Sequence, residues 1–127
     1  MLFNKPELTT RTAVAALALL VLLLLIGTQM PGAWRDEAFR VTQLPWQLTK
    51  VAHFVMFMLI AAVAHARPLR FGALRVVAGA LTLALVTEGL QFWASNRSPS
   101  LADVGIDMAG AALGLLVVRW LLRGGFR

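Results

Sequence analysis

Cysteine does not occur in this chain, which excludes disulfides, thiolate nucleophiles and thiolate metal ligands. Charge is scarce: Asp, Glu, Lys and Arg make up 14% of the 127 residues, against about a quarter in an average soluble domain. The net charge is +6. No basic block with interleaved aromatics accompanies it, so nucleic acid is not an expected partner. Several catalytic signatures are also missing. There is no His-Glu-x-x-His, so the metal signal is weak. There is no Pro-Ser-Gly-His, and Asn96-Arg97 is not followed by the histidine-to-aspartate relay of a membrane phosphatase. The first apolar run, Thr12 to Met30, holds no carboxylate of the kind that four-helix proton-coupled exporters use. Neither a metal nor a cofactor is expected.

What is abundant is apolar sequence. Hydrophobic residues make up 59% of the chain and fall into four runs, at about 12–30, 49–66, 74–94 and 101–122. Pro31-Gly32 closes the first, Arg67-Pro68 the second, Asn96 to Pro99 the third and Gly124-Gly125 follows the fourth. Spans of about 20 residues at about 1.5 Å per residue match the ~30 Å hydrocarbon core of a bilayer. The expected fold is an all-α integral membrane four-helix bundle forming a single transmembrane domain. The segment 31–48 reads as a loop outside the membrane. It carries Trp34, Phe39, Leu44 and Trp46 among mixed charges, a composition suited to a short amphipathic piece on the bilayer surface. Lys5 and Arg11 before the first run resemble a signal peptide. The apolar stretch Ala13 to Met30 is longer than a signal core of about 7–15 residues, and no small-x-small site follows it. A retained helix is expected.

Orientation follows from the basic residues. Lys5, Arg11, Arg67, Arg70, Arg75, Arg119, Arg123 and Arg127 fall on one side, and Arg35, Arg40, Lys50 and Arg97 on the other. The excess predicts both termini in the cytoplasm of a bacterial inner membrane, with multiple passes. Trp34, Trp46 and Trp93 then fall at the outer interface and Trp120 at the inner one, where tryptophan is enriched.

The charges within the runs sit at run ends. Lys50 and His53 open the second run, Glu88 and Gln91 lie near the close of the third, and Asp103 and Asp107 open the fourth. Up-down-up-down threading carries all of them to one face. Helical rise puts His53, Glu88 and Asp107 roughly 6–10 Å below the helix ends. Spacings of three or four residues give each pair a common face. Ionisable groups in a bilayer are costly and need partners, so Lys50–Asp103, Arg97–Glu88 and His53–Asp107 are candidate pairs.

The order Lys50-x-x-His53-Phe54, Glu88-x-x-Gln91 and Arg97-x-x-Ser100-x-x-Asp103-x-x-x-Asp107-x-x-Gly110-x-x-x-Gly114 resembles the VanZ-like family of small bacterial membrane proteins, over about Thr49 to Gly114. Two positions depart from the family pattern. Thr49 stands where an acidic residue often precedes the lysine, and Asp107 stands where Asn is usual. The resemblance implies a multi-helix protein of the bacterial cell envelope and a link to teicoplanin resistance. Gly110 and Gly114 form a G-x-x-x-G that fits close packing of the fourth helix inside its own bundle.

Three readings of the cluster remain. It is structural glue between helices; or an outward-facing site in which Lys50, His53, Glu88, Gln91, Arg97, Ser98, Ser100, Asp103 and Asp107 take an anionic lipid or cell-wall precursor; or an enzyme using His53 and Glu88 as acid and base. For the second reading, the amino end of the fourth helix adds free N–H groups suited to an anion. Asp103 and Asp107 in its first turns oppose it. Beyond the lipid bilayer the sequence names no partner, and it does not specify an oligomeric state.

Overall fold

A computed structural model describes residues 9–29, 32–43, 47–94 and 100–124, all of them helix or short connection. Five helices follow in order: α1 (Thr10–Thr28), α2 (Gly32–Thr42), α3 (Gln47–His65), α4 (Ala73–Ala94) and α5 (Leu101–Gly124). Four of these, all but α2, are long and apolar enough to cross a membrane. Their large apolar side chains face outward in number, among them Leu22, Leu23, Ile26, Leu85, Trp93 and Leu116. Such faces belong against lipid, where the backbone polar groups must be satisfied within each helix.

Local chemistry sets the helix ends. Thr9 caps α1, its hydroxyl accepting from the Thr12 N–H at 3.2 Å. At the other end the Gln29 N–H and the Thr28 hydroxyl both donate to the Leu25 carbonyl, at 3.1 Å each. Gln29 is the carboxy-terminal cap of α1; Met30 lies outside the described residues. Ser100 caps α5: its Oγ accepts from the Asp103 N–H at 3.4 Å. The turn between α3 and α4 is closed by the Phe71 N–H on the Ala64 carbonyl at 2.9 Å. His65 Nδ1 lies 2.7 Å from the Phe71 carbonyl.

The expected loop 31–48 is helical over most of its length, as α2 and the first turn of α3. Helix α2 packs on no other helix among the described residues. Trp34 and Val41, seven residues apart on one face, are both largely exposed. Asp36 and Arg40 lie on the opposite face. Glu37, three residues after Trp34 and four before Val41, shares their face and pairs with Arg40 at 2.6 Å.

The most extensive contact is between α3 and α5, followed by α4 with α5 and α1 with α3. Small residues dominate the shared core: Ala61 and Ala64 of α3, Ala80 and Ala84 of α4 and Ala111 of α5 are buried around Phe57 and Leu115. Helices in lipid gain little from hydrophobic burial against one another, so close van der Waals approach carries the association. At Gly110 an added Cβ would collide with the Phe54 carbonyl oxygen, and at Gly114 with that of Met58. Both glycines therefore face α3 within the same chain. The pairs Phe54–Gly110 and Met58–Gly114 advance together, so α3 and α5 run parallel.

Candidate functional site

Parallel packing of α3 and α5 brings their amino-terminal turns to the same end of the bundle. His53 and Asp107 meet there, Nδ1 to Oδ1 at 3.2 Å. Helix α4 contributes its carboxy-terminal turns to this end. The Glu88 Oε2 accepts from the Ser100 backbone N–H at 3.1 Å. Helix α1 also arrives with its carboxy-terminal end: Gln91 Nε2 donates to the Thr28 carbonyl at 3.4 Å. Four helices thus alternate in direction and close around one polar cluster.

Burial separates the members. Asp107 is fully buried, and Glu88 and Gln91 nearly so; His53 keeps part of its side chain accessible. Lys50 is half-buried one turn before His53, and Asp103 is half-buried one turn before Asp107. His53 turns Nδ1, and not Nε2, to the Asp107 carboxyl group. The second carboxylate oxygen, Asp107 Oδ2, is buried with no hydrogen-bond partner among the described residues. A buried acceptor left unmatched costs about 1–3 kcal/mol. It therefore marks where a donor belongs.

The amino end of α5 is already engaged. The Asp103 N–H is taken by Ser100 Oγ, and the Ser100 N–H by the Glu88 carboxylate. An acidic side chain at a helix amino terminus is favourable there, and here the protein supplies that anion itself. Glu88 is thus held by backbone, a partner that pairing side chains by charge does not suggest. Arg97 and Ser98 lie outside the described residues.

Two further buried polar residues belong to this end and were not among the expected set. Thr28 borders Gln91. Thr87, next to Glu88, is 1% exposed and its hydroxyl donates to the Ala84 carbonyl at 2.9 Å. Single threonines at helix ends carry no distinctive signal. The Ser100-x-x-Asp103 spacing does carry one, that of a capped helix start. Among the described residues, no three His, Asp or Glu side chains gather as metal ligands would.

Fold and site together define a small multi-pass α-helical membrane protein with a carboxylate-rich polar cluster buried at one end of its helices. Within that class its place is given by the family model described as VanZ/LLP1, which matches residues 6–123. The match takes in α1 and nearly all of α5, well beyond the stretch that carries the motif. The chain belongs to the VanZ/LLP1 family. No curated protein and no solved structure matches it.

Proposed function

We propose that the polar cluster binds the head group of a membrane-derived ligand that carries both negative charge and hydroxyl or amide donors, such as a lipid-linked cell-wall precursor. The observation behind this reading is Asp107: fully buried, with one oxygen on His53 and the other without a partner among the described residues. A hydroxyl-bearing ligand supplies the missing donor. Lys50, one turn before His53, suits the negative group, and Arg97 by its sequence position suits it too. The basic asymmetry of the chain supports a bacterial inner-membrane protein with cytoplasmic termini and this end outward, where cell-wall precursors are exposed. Glycopeptide susceptibility, teicoplanin above all, is then the phenotype to follow.

A second reading is favoured by a different observation. Glu88 to Ser100, Gln91 to Thr28 and His53 to Asp107 each join two helices. A cluster that only fastens the bundle would look the same at these three contacts. One experiment separates the two. Purified protein in nanodiscs is titrated with a lipid-linked disaccharide-peptide, and the amount of folded protein in the membrane is measured in parallel. Arg97→Ala and Asp107→Asn should weaken binding while the protein still accumulates. If loss of binding instead follows loss of protein throughout, the cluster is structural. An acid–base role for His53 and Glu88 requires that His53→Ala leave binding intact and remove turnover.

A further inference from the structure

At the other end of the molecule, α1 and α4 diverge. Their mutual contact is the slightest among the helix pairs that touch, and an open groove of about 600 Å³ lies between them. Leu17 and Val21 of α1 form one wall, Ile60 and its neighbours on α3 the floor, and α4 from Arg75 to Val86 the other wall. Along α4 these eleven steps amount to about 16 Å. That is the depth of one leaflet, half of the ~30 Å hydrocarbon core. Among the described residues the one charged group lining the groove is Arg75, and it stands near the start of α4 at the interfacial end. Arg67 and Arg70, in the turn before α4, are exposed and do not line the groove. The groove is distinct from the polar cluster: Arg75 precedes Glu88 by about 20 Å of helix.

We propose that this groove holds one acyl chain of an anionic phospholipid from the leaflet at the α3–α4 turn, with the lipid phosphate at Arg75. The groove's length, its apolar walls and a single cation at its interfacial mouth match the three parts of such a molecule. The occupant sits where α1 would otherwise meet α4 and completes the packing of a helix that the protein alone holds loosely. Gly79 lines the groove, and a Cβ built there meets nothing within 4 Å. A larger side chain at this position fills the groove without pressing on a backbone.

The test uses the full chain in phosphatidylcholine vesicles containing phosphatidylglycerol with a photoreactive group in its acyl chain. Labelled residues are located by mass spectrometry. Labelling should concentrate on Leu17, Val21 and Leu83, and Gly79→Phe should abolish it there while leaving background labelling of the outward-facing Leu22 and Leu116 unchanged. Arg75→Gln should reduce labelling by the anionic probe about fivefold, as the loss of one cation near a membrane surface implies, and leave a phosphatidylcholine probe unaffected. Uniform labelling of groove and outer faces, or groove labelling indifferent to both substitutions, overturns the proposal. So does a cross-link from a second copy's helix in the groove that excludes the lipid. Should Gly79→Phe fail to accumulate, the Arg75→Gln comparison between the two probes decides alone.

Discussion

The Glu88 carboxylate lies on the backbone N–H of Ser100, 3.1 Å away. A side chain near the end of α4 thereby caps the start of α5. Within one short stretch the chain reverses direction, and the reversal is tied by a charged acceptor on a main-chain donor. Hydrogen bonds to charged groups contribute about 1.5–3 kcal/mol. Replacing Glu88 by Leu should therefore lower the unfolding free energy in mixed micelles by that order. Glu88→Gln keeps an acceptor and should lose about half as much. Equal losses for the two would mean the bond contributes nothing.

His53 and Asp107 should be energetically coupled. Interhelical hydrogen bonds in membranes average about 0.6 kcal/mol and reach about 1.7. A double-mutant cycle with His53→Ala and Asp107→Ala, read by the same unfolding measurement, should give a coupling inside that range. Additive single effects would place the pair in contact without a bond of consequence.

The glycines of α5 should respond in opposite directions. Gly110→Ala drives a methyl group into the Phe54 carbonyl and Gly114→Ala into that of Met58. Overpacking of this kind costs about 1–3 kcal/mol. Gly105→Ala meets open space and should stabilise by up to about 1 kcal/mol through helix propensity alone. Thermal unfolding of the three variants in one detergent checks the contrast.

Topology is testable without background, because the chain has no cysteine. Ser98→Cys should react with a membrane-impermeant thiol reagent in intact cells, and Gly72→Cys should react only after lysis. The reverse pattern would turn the polar cluster toward the cytoplasm and remove extracellular precursors from consideration.

The long helices were legible because each is a sustained apolar run closed by Pro, Gly or a polar turn, and their ends fall within about two residues of expectation, as helix ends usually do. The segment 31–48 carried an amphipathic signal over too few residues to fix a helix, yet α2 forms there. The meeting of His53 with Asp107 was readable from depth and helix face. The bond from the Ser100 N–H to Glu88 was not, because a backbone donor carries no mark in the sequence; the expected Arg97–Glu88 pair lies outside the described residues. The G-x-x-x-G announced a close approach, but which helix receives Gly110 and Gly114 depends on three-dimensional order. That order sets α5 directly against α3, although α4 intervenes in the chain.

This order has a consequence for biosynthesis. The tightest helix pair joins the second span to the last, and His53 meets a residue 54 positions further on. Until α5 emerges from the ribosome, His53 has no Asp107. A nascent chain paused before Leu101 carries His53 into the lipid without its partner, a polar group that is costly there until the pair forms. Completion of the last helix is the event that makes the earlier spans safe to leave in the bilayer.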